Sequence, residues 1–230
     1  MLLYYITDRK QFAGTERDQR LALLRRVSGA ASAGVDYIQL REKDLTTAEL
    51  ERFASEVVRA VREQSEKTKL LINSRTDVAI AAGADGVHLT STDIPASEAR
   101  AIWIASAASK QFHVAVSCHS VADVHAAEAH GADFVVLGPV FEKADTAPIG
   151  LKILSSATRG RRFDRRVEAG DNRGSAPVLA LGGVNLSNAR ACLEAGAAGV
   201  AGIRLFQESN ISECIRLLRE AAADFVTRSR

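Results

Sequence analysis

Gln39, Arg41 and Lys43 stand at alternate positions directly after the apolar pair Tyr37-Ile38. On an extended segment every second side chain points the same way, so an amide and two cations would share one side at the end of a strand. Cations at the end of a buried strand predict an anionic ligand. Other polar groups stand in the same relation to short apolar runs: Thr7-Asp8-Arg9, Asn73-Ser74-Arg75, Thr90-Ser91-Thr92-Asp93, and Ser117-Cys118-His119-Ser120. Of the five histidines, His119 is the one expected to move protons, because imidazole titrates near neutrality and this one sits where a strand gives way to a loop. A capping or backbone-bonded role is the competing reading. His113, His125 and His130 sit before a strand, inside a helix and at a helix end, and His88, within a strand, reads as a packed interior residue. Further on, Gly182-Gly183 and Gly202-Ile203-Arg204 each follow an apolar run, and adjacent Gly-bearing loops of this kind hold phosphate through backbone N–H groups.

Such residues act together only if the fold gathers many strand ends, and the chain carries a repeat that does so. One phrase recurs: Ala33-Gly34-Val35-Asp36-Tyr37-Ile38, Ala82-Gly83-Ala84-Asp85-Gly86-Val87, His130-Gly131-Ala132-Asp133-Phe134-Val135 and Ala195-Gly196-Ala197-Ala198-Gly199-Val200. In each copy an Ala-rich amphipathic stretch ends at a Gly able to take the left-handed helix C-cap conformation, and a short apolar strand follows. The glycines are spaced 49, 48 and 65 residues apart. Two strand–helix units need about 48 residues. With the runs between the copies, strands are predicted near 4–7, 37–40, 70–73, 86–89, 114–117, 134–137, 178–181 and 199–203. Eight apolar strands alternating with helices predict an α/β chain closed as a (β/α)8 TIM barrel, with 1–230 as a single domain. A doubly wound open sheet is the rival, but no Gly-rich dinucleotide fingerprint follows the first strand. The wider last interval holds a polar insertion at about 158–174, before the seventh strand and on the face away from the strand ends. Its arginines, Arg159, Arg161, Arg162, Arg165 and Arg166, are interleaved with acids and read as a solvated loop.

Bulk composition agrees with one soluble domain and narrows the partners. The chain has 47% hydrophobic and 25% charged residues, with 30 Lys+Arg against 28 Asp+Glu. A net charge of +2 gives no field that would favour nucleic acid or an anionic membrane, so the partner is read from the strand-end sites, which point to a small molecule. Cys118, Cys192 and Cys214 are odd in number and far apart, which argues against a disulfide framework or a zinc ribbon and for a reducing, cytoplasmic location. Asp8 and Arg9 arrive too early for a secretory core, and no apolar run reaches the length of a membrane span.

The ordered motifs Tyr5-Ile6-Thr7-Asp8, Ile38-Gln39-Leu40-Arg41-Glu42-Lys43, Leu71-Ile72-Asn73, Asp85-Gly86-Val87-His88-Leu89, Val116-Ser117, Gly138-Pro139-Val140-Phe141, Leu179-Ala180-Leu181-Gly182-Gly183 and Gly199-Val200-Ala201 resemble the superfamily of thiamin phosphate synthase and the TenI-type thiazole tautomerase. The resemblance runs from the first strand to the last. It implies a barrel enzyme of thiamin biosynthesis that binds a thiazole phosphate and forms homo-oligomers. In the synthase branch, a pyrimidine pyrophosphate ionises and the thiazole nitrogen captures the cation, with Mg2+ stabilising the departing pyrophosphate. Gln39, Arg41, Lys43 and Asn73 match that branch's pyrophosphate-binding positions, and Ser117, Gly182, Gly183, Gly202 and Ile203 fall in its substrate- and phosphate-binding segments. Asp93 matches one of two Mg2+-binding aspartates, but the other position is Ser74, with Asp77 the nearby carboxylate available as a rearranged ligand. The synthase's Thr-x-Thr-Lys signature is absent from Glu142-Lys143-Ala144-Asp145-Thr146, and the family's Ser after the eighth strand is Arg204. The TenI branch is closer at Phe141-Glu142 and at His119-Ser120, although that histidine is also common in synthases. Its implied reaction converts a carboxythiazole phosphate to its aromatic tautomer by proton transfer at His119, without a cofactor. The expected ranking is therefore tautomerase first, Mg2+-dependent synthase second, and a non-catalytic phosphate-ligand binder third, with a phosphosugar isomerase as a weaker reading.

Overall fold

The computed structural model describes residues 1–106, 111–142, 146–160, 175–208 and 210–228. Strands β1 (Leu2–Ile6), β2 (Tyr37–Leu40), β3 (Lys69–Asn73), β4 (Gly86–Leu89), β5 (His113–Cys118), β6 (Phe134–Leu137), β7 (Val178–Ala180) and β8 (Gly199–Gly202) pair in parallel in chain order, and β8 closes on β1. This is the expected barrel, and closure excludes the open sheet. β1 starts two residues before its expected position, and β5 starts at His113, which is therefore a strand residue and not one that precedes the strand.

Helices α1 (Glu16–Ser32), α2 (Thr47–Arg62), α3 (Thr76–Ala82), α4 (Ala96–Ala105), α5 (Val121–Ala129), α6 (Gly150–Thr158) and α7 (Ala189–Glu194) cross between successive strands. A single turn, α8 (Arg204–Gln207), and the closing helix α9 (Ile211–Arg228) follow β8. Thr15, Thr46 and Ser120 cap α1, α2 and α5, each paired with an acid three residues on. Of the insertion expected at about 158–174, Thr158 is the last residue of α6, and residues 161–174 lie outside the described residues. Among the described residues no helix is long and apolar enough to cross a membrane.

The four repeat glycines have φ between 68° and 91°, the left-handed region in which Gly carries no Cβ penalty. The repeat has a second function. Asp36 accepts from the Leu3 N–H at 2.7 Å, Asp85 from Leu70 at 2.8 Å and Asp133 from Val114 at 2.6 Å. Each acid stands just before an even strand and supplies a side-chain acceptor to the strand before it. Each is also neutralised by an arginine: Arg219, Arg62 and Arg100 respectively. In the fourth copy the position is Ala198. These staples lie at the N-terminal end of the barrel, opposite the strand ends where function is expected.

Two apolar layers meet at the sheet. Outward side chains such as Leu3, Ile38, Ile72, Val87, Val135 and Val200 pack under the helices. Inward ones, including Tyr4, Leu71, Phe134, Val136, Leu179 and Ala201, fill the barrel. With the interior filled, the polar strand ends are where a ligand is expected.

Candidate active site

The first two strands deliver an acid–base cluster to the mouth. Arg9 is 2% exposed, and its guanidinium reaches Glu16 at 2.9 Å, Glu42 at 3.0 Å and Asp44 at 2.6 Å. Arg9 holds the Asp44 carboxyl well below the usual carboxylate range. Burial pushes Glu42 up, against the opposing effect of hydrogen bonds from Thr7 and Arg9. Thr7 donates to Glu42 at 2.6 Å and accepts from the Arg41 N–H at 2.9 Å, so the end of β1 is tied to the loop after β2. This cluster corrects the expectation for Lys43. Gln39 faces the barrel interior and Arg41 is half-buried at the strand end, but Glu42 turns in to Arg9 and leaves Lys43 exposed in a turn. Neither Arg41 nor Lys43 has an ion-pair partner among the described residues.

Between β3 and β4 the chain builds a second polar group. Ser74 takes φ +59°, an unfavourable conformation for a residue with a Cβ. There its hydroxyl donates to Asp93 at 2.7 Å while accepting from the Asn73 amide at 3.0 Å. The Thr90 N–H also donates to Asp93, at 2.6 Å. Asn73, Ser74 and Asp93 therefore come together as their motifs implied. Asp77 does not join them; it pairs with Arg75, which lowers its carboxyl.

Below the mouth, four inward side chains are linked across the barrel. Gln39 donates to the Tyr4 hydroxyl at 3.1 Å, Tyr4 meets His88 Nδ1 at 3.0 Å, and His88 Nε2 meets the Ser117 hydroxyl at 2.7 Å. Burial, with a smaller contribution from Arg41 and against Asp93, pushes His88 down to about 3, so its imidazole is neutral. His88 is interior, as expected from its place in a strand, whereas its partners and the polar role of Tyr4 are visible only in the fold. The available signal was strand periodicity: both occupy inward positions beside Gln39.

His119 stands exposed on the rim just past β5. Its Nδ1 lies 2.7 Å from the Gly138 carbonyl oxygen, which only accepts, so Nδ1 carries a proton and, in the neutral ring, Nε2 has the lone pair. Its backbone N–H is bound separately, by Asp123 at 2.8 Å. The backbone-bonded reading is met at Nδ1, and Nε2 is the nitrogen left for the proton-transfer reading.

In the loop after β7, Gly182 and Gly183 have φ +90° and +65°. A Cβ on either would come within 2.5 Å of Pro139 or 2.7 Å of Phe141, so this loop needs glycine to pack on the loop after β6. Their presence has a structural cause before any ligand is considered. Gly202 ends β8, Ile203 caps α8, and Arg204 is exposed at the start of that turn, without an ion-pair partner among the described residues.

A family model described as thiamine monophosphate synthase matches residues 3–206, nearly the whole barrel. The chain belongs to the thiamine monophosphate synthase family. It is 40% identical to the putative thiamine-phosphate synthase of Geobacter sulfurreducens, over 86% of this chain and 83% of that one. It is 35% identical to the thiamine-phosphate synthase of Methanospirillum hungatei, over 86% of each. Among solved structures, thiamine phosphate pyrophosphorylase from Pyrococcus furiosus superposes with a TM-score of 0.76 at 28% identity, covering 97% of this chain and 96% of that one. Membership makes the chain an enzyme of thiamin biosynthesis.

The donor set tests whether the family's Mg2+ fits this member. Mg2+ takes oxygen ligands in near-octahedral geometry and is usually held by one or two carboxylates together with substrate phosphates. Here Asp93 is the single carboxylate of the group, and its Oδ2 already accepts two hydrogen bonds. Ser74 is neutral and is a donor to that same carboxylate. No cluster of three or more acidic, His or Cys side chains suited to a metal exists among the described residues. The two-carboxylate Mg2+ site that the family resemblance implies does not fit these residues.

Proposed function

We propose that this member of the family is a thiazole tautomerase of the TenI type, binding a carboxythiazole phosphate in the barrel mouth and aromatising it by proton transfer. The observation that carries the choice is the Ser74–Asp93 hydrogen bond, which puts a neutral donor in the place where the family resemblance implies a second carboxylate. The phosphate is received by Arg41 and Arg204, with Lys43 at the edge, which have no ion pair among the described residues, and by the backbone of the Gly182-Gly183 and Gly202-Ile203 segments. Gln39, Asn73 and Ser117 offer directional polar contacts to the ring and its carboxylate. His119, with its Nδ1 proton held by Gly138, is the base: Nε2 removes a proton from one ring carbon, and the imidazolium so formed returns one to the conjugated carbon. No atom is gained or lost, and aromaticity of the product drives the step.

Isomerisation of the carboxythiazole phosphate by purified protein is the test. Turnover should fall about a hundredfold or more in His119→Ala while phosphate-ligand binding persists. Wild-type rates in that variant would remove His119 from the mechanism. The second reading, coupling of a pyrimidine pyrophosphate to thiazole phosphate, is favoured by the printed names of the relatives. Robust Mg2+-dependent coupling by the wild-type protein would replace the tautomerase proposal, and calorimetric binding of thiazole phosphate with neither activity would make it a ligand-binding barrel.

A further inference from the structure

We propose that Tyr4 and His88 are positioning residues: with Gln39 they form a one-way hydrogen-bond chain through the barrel interior that makes Ser117 a hydrogen-bond donor to the ligand, so the ligand atom it meets is an acceptor. The chain crosses β2, β1, β4 and β5 in three links of 3.1, 3.0 and 2.7 Å. Gln39, Tyr4 and His88 are 1%, 0% and 3% exposed, so water does not compete for these bonds.

Direction follows from proton counting. The Gln39 amide nitrogen only donates, so the Tyr4 oxygen accepts there and has one hydrogen left to give. That hydrogen goes to His88 Nδ1. A neutral imidazole carries one proton, so with Nδ1 accepting, the proton is on Nε2 and is donated to the Ser117 oxygen. A charged imidazolium would donate from both nitrogens and leave the Tyr4 hydroxyl hydrogen without an acceptor in the interior, a costly arrangement. Burial of His88 opposes that charge in any case. Ser117, half-buried at the top of β5, then has its own hydrogen free to direct into the mouth. Turning the Gln39 amide over would reverse every link, and Ser117 would then demand a donor. The polarity of the mouth contact is therefore set three links away, at Gln39. An acceptor at Ser117 suits an anionic oxygen or an unprotonated ring nitrogen. This identity rests on the thiazole phosphate reading, whereas the state of His88 belongs to the ligand-free protein.

Two measurements separate them. In protein labelled with 15N-histidine, with the His88 signals assigned by their loss in His88→Gln, the ring should be neutral with its proton on Nε2 from pH 8 down to pH 5. A proton on Nδ1, or a charged ring at pH 7, overturns the chain whatever the ligand. For coupling to Ser117, Tyr4→Phe keeps the ring that packs edge-on against Tyr37 and Phe134 but removes the hydroxyl. Titrated calorimetrically with thiazole phosphate, Tyr4→Phe and Ser117→Ala should each weaken binding about tenfold, and the double variant no more than either alone, because both remove the same contact. Losses that multiply in the double variant would show Tyr4 acting independently of Ser117 and overturn the proposal. If thiazole phosphate fails to bind the wild-type protein, the ligand reading falls, and the His88 tautomer alone decides whether the chain exists.

Discussion

Asp85→Ala removes two contacts at once from the start of β3 and β4: the acceptor of the Leu70 N–H and the partner of the Arg62 guanidinium. Asp85 is 5% exposed, so the Leu70 N–H is left without an acceptor in the interior, which costs about 1–3 kcal/mol. Breaking a fully enclosed ion pair costs roughly 3–5 kcal/mol, but Arg62 is 30% exposed and regains water, which reduces its share to about 1 kcal/mol. The expected loss is about 2–4 kcal/mol, equivalent to about 5–15 °C in Tm for a chain of this length. Asp85→Asn retains an oxygen to accept from Leu70 and loses only the charge, for about 1 kcal/mol. Urea and thermal unfolding followed by circular dichroism would measure both. Turnover well below Tm should be unchanged, because the staple lies at the opposite end of the barrel from the mouth. An Ala variant within about 0.5 kcal/mol of wild type, or an Asn variant as unstable as Ala, would refute the staple account.

Two further outcomes are expected. Ser74→Asp places a second carboxylate against Asp93, where a 2.7 Å hydrogen bond now stands, so the variant should lose stability without metal and regain it on adding Mg2+; Mg2+ titration by calorimetry with no heat above wild type would count against the donor-set explanation. His88, pushed down to about 3 from an ordinary 6.5, remains neutral in the folded protein while the unfolded chain takes up a proton below pH 6.5, so stability is full above that value and falls by about 1.4 kcal/mol per unit toward pH 3. By pH 5 this amounts to roughly 2 kcal/mol in urea unfolding, and since burial also lowers His113, His88→Gln should retain part of the slope.

The fold was legible because its signal is repeated and local. Each Gly-capped helix leading into an apolar strand states the same βα unit, and closure follows from their number. The same phrase contained the staples, since Asp36, Asp85 and Asp133 share one place in three copies. They went unread because their function depends on the first N–H of a different strand and on arginines up to most of the chain length away, as with Arg219 on Asp36.

The site was legible to the level of which strand ends carry polar groups, but not which of those groups remain available. Arg9 and Arg41 look equivalent in sequence, as cations at the ends of neighbouring strands. In the barrel Arg9 is surrounded by Glu16, Glu42 and Asp44, and the pull of Arg9 on Glu42 is what breaks the alternation at Lys43. Arg75 is likewise closed by Asp77. Sorting the cations at the strand ends by partner leaves Arg41, Lys43 and Arg204 without ion pairs among the described residues, and of these Arg41 is half-buried. A half-buried cation with no ion pair among the described residues has charge that an anion at the mouth would match. A near-neutral net charge therefore says little about the ligand, whereas the distribution of pairing is what supports the proposed small anion at the mouth.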